Sequence, residues 1–171
     1  MSQLSAMTLS RPLDTEDERL AAQTKVPLLI SAPCVNTVTA VARRIHSAGF
    51  GATAPFVRFP ASELVDQREQ FASQWTMLME AGRGGSILIT DVDQLSRAAQ
   101  ALLIESLNEL SATRSTLTGR LMTGTTVSLL DRVEAGEFLE ELLYCLNVIH
   151  LLMLEESDAC PEPAGWPIMR R

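Results

Sequence analysis

Between residues 26 and 152 the chain alternates short apolar runs with longer stretches of helical spacing, and few architectures accommodate that alternation. The segments 26–30, 55–59, 87–89, 120–124 and 148–152 read as strands. The spacing predicts a helix over 36–48, with Val38, Val41, Ala42 and Ile45 on one face, Asn36 as N-cap and Gly49 just past its end. Ser62 is placed to cap a longer helix bearing Leu64, Phe71, Trp75 and Leu78, and Ser96 to open one bearing Leu102, Leu103, Leu107 and Leu110. Two shorter helices are expected over 129–134 and 138–146. Ile87, Leu88 and Ile89 are apolar in succession, as in a strand covered on both faces. Strands alternating with helices of this length predict a five-stranded parallel sheet in a three-layer αβα domain.

Composition narrows the classes of function. With 171 residues, 46% of them hydrophobic, the chain can build one domain with a real core. A net charge of −7 speaks against a nucleic-acid surface, and the paired arginines Arg43-Arg44 and Arg170-Arg171 read as solvated positions. No apolar run approaches the roughly 18 residues of a membrane span. Residues 1–24 are polar, with Asp14, Glu16, Asp17 and Glu18, and are expected to form a flexible arm rather than a signal peptide. The core is expected over 25–154, and 155–171 is a tail whose prolines at 161, 163 and 167 exclude a helix or central strand. Cys34, Cys145 and Cys160 lack metal-ligand spacing and read as free thiols of a reducing compartment.

The junction after the first strand carries the sharpest signal. A phosphate-binding loop belongs here, and it needs glycines to let the backbone wrap phosphates, a lysine to reach them and a hydroxyl for magnesium. The run from Ser31 to Thr39 contains neither glycine nor lysine. The frame of a nucleotide-hydrolysing domain is there without its usual chemistry.

Several local runs then point to one family. Ala42-Arg43-Arg44-Ile45-His46, Pro55-Phe56-Val57 and Gly84-Gly85-Ser86-Ile87-Leu88-Ile89 occur in order, followed by Leu95, Gln100, Leu102 and Leu103. Ala135-Gly136-Glu137-Phe138 and Leu143-Tyr144-Cys145-Leu146-Asn147-Val148-Ile149 complete the series. Over roughly 26–154 the chain resembles the AAA+ domain of bacterial enhancer-binding proteins, which activate the sigma-54 form of RNA polymerase. The resemblance implies a P-loop NTPase-like core in a bacterial cytoplasm.

The departures from the family pattern fall on its functional positions. Its loop Gly-Glu-x-Gly-Thr-Gly-Lys aligns on 32–38, placing Ala32, Val35 and Thr37 at the glycines and Val38 at the lysine. The magnesium-side Asp aligns on Thr90, the catalytic Glu on the shorter Asp91 and the sensor Asn on Thr126. The arginines that reach a neighbouring subunit align on Leu139 and Glu140, with Cys145 at a third arginine. The segment 61–83 lacks the Gly-Ala-Phe-Thr-Gly-Ala loop that contacts sigma-54. The short run after the fifth strand leads to the expectation of a core without the family's helical lid or helix-turn-helix.

These features lead to the expectation of a non-catalytic, pseudo-ATPase interaction module without cofactor or metal. Asp91 and Asp93 read as solvated loop acids, and His46 and His150 as packing histidines. Expected partners are a second copy or an AAA+ or sensory regulator, without direct DNA or membrane binding. Phe71, Trp75, Met79 and Trp166 are candidate contacts, with packing on the sheet as the other reading, at least as strong for Phe71 and weaker for Trp75. A residual nucleotide switch, or a small-molecule or dinucleotide sensor in the same cleft, is the alternative.

Overall fold

A computed structural model of the chain describes residues 16–112 and 119–153. The elements are α1 (Glu16–Gln23), β1 (Leu28–Ser31), α2 (Val35–Phe50), β2 (Phe56–Pro60), α3 (Arg68–Ala81), β3 (Ser86–Thr90), α4 (Arg97–Ala112), β4 (Arg120–Thr125), α5 (Leu129–Glu134), α6 (Glu140–Leu146) and β5 (Ile149–Leu152). The five strands form one sheet in the order β2-β3-β4-β1-β5, and every pairing is parallel. All five predicted strands are present, within two residues of their expected bounds.

Alternation along the strands divides the core into two. Leu28, Ile30, Leu88, Met122 and Leu151 meet α1 and α2 on one face. Leu29, Ile87, Ile89 and Leu121 face α3, α4 and α6 on the other. Each large apolar side chain buried this way contributes about 1.5–3 kcal/mol relative to exposure. Both faces are covered, which is why β3 and β4 are buried along their whole length.

Three local expectations are corrected. The arm expected over 1–24 contains helix α1, whose Glu18 and Ala21 are fully buried; residues 1–15 lie outside the described residues. Polarity marks Glu18 as a surface acid, but it pairs with Arg44 of α2 at 2.6 Å. Gly49 permits this packing, since a Cβ there would lie 2.6 Å from the Ala22 carbonyl oxygen. Cys34, rather than Asn36, is the N-cap of α2. Ser62 caps no α-helix: residues Ala61–Glu63 form a 3-10 turn, and α3 starts at Arg68. Leu64 reaches the core from that connection instead of from the helix. Ser96 does open α4, its hydroxyl accepting from the Ala99 N–H at 3.1 Å.

Candidate functional site at the carboxyl edge of the sheet

In open α/β sheets ligands bind outside the carboxyl ends of the strands. Here that edge is formed by the ends of β1, β3, β4 and β5. Only residues 32–34 connect β1 to α2. The Ala32 N–H is committed to the Thr125 carbonyl at 3.2 Å, and Pro33 has no N–H to offer. Val35, Thr37 and Val38 lie within the helix, and the Val38 N–H donates to the Cys34 carbonyl at 3.2 Å. Val38 is 1% exposed, and its side chain packs on the backbone of Gly124 in β4. A Cβ at Gly124 would lie 2.3 Å from Val38 Cγ1, so the glycine is what lets the helix approach the strand.

At the end of β3, Thr90 is fully buried and its hydroxyl has no hydrogen-bond partner among the described residues. Asp91 adopts φ 54° and ψ 44°, the left-handed region that only a few non-glycine residues enter. Its carbonyl accepts from the Gln94 N–H at 2.9 Å, closing a 3-10 turn at Val92–Gln94. Asp93 Oδ1 accepts from the hydroxyl of Thr125 at 3.0 Å, tying this turn to the end of β4. The next residue, Thr126, is exposed at the mouth of the cleft. No group of three or more His, Cys, Asp or Glu side chains among the described residues is placed to hold a metal ion.

Leu139 and Glu140 lie at the start of α6. Leu139 packs partly against the core, and its N–H donates to Gln100 Oε1 at 2.8 Å. Gln100 is fully buried and donates through Nε2 to the Leu95 and Glu137 carbonyls, at 2.9 and 3.0 Å. It therefore fixes the α5–α6 junction to α4. Glu140 points outward and accepts from the Tyr144 hydroxyl at 3.0 Å. Burial and the nearby Glu141 push the Cys145 thiol up from its ordinary pKa.

A cavity of about 640 Å³ opens beside these elements, bounded by Leu29, Pro33, Thr126, Leu129, Leu143 and Met153. Ser31 and His150 also face it and lie 2.8 Å apart, from Oγ to Nε2. Desolvation lowers the His150 pKa. His46 is remote from this edge. Its Nε2–H donates to the Ala54 carbonyl at 3.2 Å, leaving Nδ1 to accept from Ser86 Oγ at 2.9 Å. The packing assignment for His46 therefore agrees with its contacts.

Two candidate contact residues are placed differently from the expectation. Phe71 and Trp75 are 1% and 7% exposed, their rings stacked with centroids 6.3 Å apart inside the core. Met79 packs partly against the same cluster. Helical periodicity identifies their shared face, and that face turns toward the sheet. Trp166 lies outside the described residues. Cys34 is disulfide-bonded, which corrects its reading as a free thiol; sequence spacing carries no information on which cysteines meet in space. Gly124 and the Thr125–Asp93 contact shape the site without appearing among the sequence candidates, although a glycine inside an apolar strand is a signal of close backbone approach.

The sheet order, the helices on both faces and the short β1–α2 connection define an AAA+-like P-loop NTPase fold. The chain belongs to the sigma-54 interaction domain family, whose model matches residues 8–154. NtrX from Brucella abortus in complex with ATP is similar in structure, with a TM-score of 0.62 and 20% identity over 80% of this chain and 33% of that one. The P-loop NTPase domain of the sigma-54 transport activator from E. coli superposes with a TM-score of 0.55 and 20% identity, covering 75% of this chain and 96% of that domain. A RuvB variant from Thermotoga maritima gives a TM-score of 0.54 at 18% identity, over 80% of this chain and 41% of RuvB. This chain thus spans about a third of the length of NtrX. No curated protein matches it in sequence. No described helix is long and apolar enough to cross a membrane.

Proposed function

We propose that this chain is a non-catalytic member of its family, a regulatory module that works by binding protein. The observation that carries this reading is Val38. The lysine position of the family's phosphate loop holds an isopropyl group, buried against Gly124 and directed into the core. An apolar side chain supplies no charge-assisted contact to a polyanion. The glycine positions Val35 and Thr37 are wound into α2, and Ala32 commits its N–H to β4. At the Walker B position, the fully buried Thr90 cannot offer a carboxylate to magnesium. Leu139 and Glu140 bring no cation to a neighbouring subunit.

What a domain retains when its chemistry is gone is surface, so we assign its activity to contacts with a second copy or with an AAA+ or sensory regulator. With Phe71 and Trp75 in the core, the solvent side of α3 offers Met77, 72% exposed and beside a groove lined by Phe59 and Val65. Thermal-shift titration with ATP and ADP, with and without magnesium, tests the loss of nucleotide binding, because a ligand that binds only the folded state raises its midpoint. No shift is expected. Light scattering tests the contact: a dimer or partner complex is expected, and an ATP-dependent hexamer would contradict the reading.

A further inference from the structure

We propose that the cavity over β1 and β5 binds an uncharged, mainly apolar small molecule that carries a hydrogen-bonding group. Strand alternation builds its floor. Leu28, Ile30 and Leu151 turn toward α1 and α2, so Leu29, Ser31, His150 and Leu152 turn to the opposite face and line the cavity. The parallel register sets Leu29 beside His150 and Ser31 beside Leu152. Leu129 of α5 and Leu143 of α6 supply walls. The strand β5 is an edge of the sheet, and Leu152, at the opening, is 60% exposed.

This floor is separate from the phosphate position. Val38 belongs to the core cluster on the α2 side of the sheet, whereas Leu29 and Leu129 belong to the cluster beneath α3, α4 and α6. The site therefore does not rest on the loss of nucleotide chemistry proposed above.

The lining sets the chemistry of the ligand. Among the described residues no Asp, Glu, Lys or Arg lines the cavity, so an ionised ligand would lose water without gaining a counter-charge. The volume of about 640 Å³ lies within the range of about 300–1,000 Å³ found for sites that enclose small molecules chiefly by apolar contact. Ser31 Oγ and His150 Nε2, 2.8 Å apart, form a polar pair on this apolar floor. When the Ser31 hydroxyl donates, its oxygen keeps lone pairs for a donor on the ligand. When the Nε2–H donates instead, the Ser31 proton is left for an acceptor. A ligand hydroxyl, amide or aryl N–H therefore finds a partner in either arrangement, while its carbon frame meets the leucines.

The test titrates the full chain with two fluorescent probes that share the same rings. N-phenylnaphthylamine is uncharged and has one N–H, and anilinonaphthalenesulfonate adds a sulfonate. The uncharged probe should bind saturably, one per chain, and the sulfonate should bind about tenfold more weakly or worse. Leu152→Asp sets a carboxylate at the opening and should weaken the uncharged probe about tenfold or more. Ser31→Ala removes one hydrogen-bonding group and should weaken it about two- to tenfold. Leu20→Asp, at an exposed position of α1 on the other face, should bind as wild type does. Absence of saturable one-to-one binding, equal affinity for the two probes, wild-type affinity in Leu152→Asp or Ser31→Ala, or loss of binding in Leu20→Asp would each overturn the proposal.

Discussion

Val38 of α2 and Gly124 of β4 are fitted to one another: the valine Cγ1 occupies space that a Cβ at residue 124 would need, at 2.3 Å. The pair should therefore show strong coupling. Gly124→Ala should destabilise the domain by about 1–3 kcal/mol through overpacking. Val38→Ala should cost about 1–3 kcal/mol by opening a void. In the double variant the new methyl enters the vacated space, so its loss should be smaller than the sum of the single losses. Urea denaturation of the four proteins measures this, and strict additivity would show that the two residues do not share the space.

Thr90 gives a second test at the edge of the sheet. Its hydroxyl is buried without a partner among the described residues, a cost of about 1–3 kcal/mol. Thr90→Val should therefore raise stability by about 1 kcal/mol, because the shape is kept and the unmet polar group removed. Thr90→Asp buries a carboxylate at this position, and it should lower the thermal midpoint. A more stable aspartate variant in the absence of metal would contradict this account of the strand end.

The two histidines set the response to acid. Burial lowers the pKa of His46, and partial desolvation that of the exposed His150, from 6.5, so the unfolded chain takes up protons first as the pH falls. Their contribution to stability is complete above about pH 6.5 and is lost as the pH falls through that value toward the lower folded pKa values. Replacing His46 by Gln should flatten this part of the pH–stability profile. An unchanged slope below about pH 6.5 would show that His46 does not titrate as its burial requires.

Arg120 is a buried cation, 1% exposed, whose guanidinium makes one hydrogen bond among the described residues, from Nη1 to the Ala21 carbonyl at 2.5 Å. Its Nε and Nη2 have no partner among the described residues, and desolvation lowers its pKa to about 10. The group remains charged at neutral pH, and its burial opposes folding until the pH rises through that range. Arg120→Met keeps the length and removes the charge, and should stabilise the domain by about 1–3 kcal/mol. A lower midpoint would mean that the bond to α1 outweighs desolvation.

The strands and the two-sided cover were legible because Ile87 to Ile89 are apolar in succession, as in a strand covered on both faces, and short runs of this kind alternate with segments of helical spacing. Helix α1 was not legible. Leu20 is 54% exposed while Glu18 is buried, the reverse of what side-chain polarity predicts, and the ion pair responsible lies 26 residues further along the chain. The first turn of α2 departs from its expected start because Asn36 has the better capping chemistry, whereas the short connection from β1 starts the helix at Val35. At the site, residue types at positions 38 and 90 could be read directly. Their burial, and the dependence of one on Gly124, required the fold.

The central claim, that nucleotide chemistry has been lost at this edge, is tested most directly by calorimetric titration of the full chain with ATP and magnesium. The account predicts no binding heat. Micromolar affinity for ATP would contradict it.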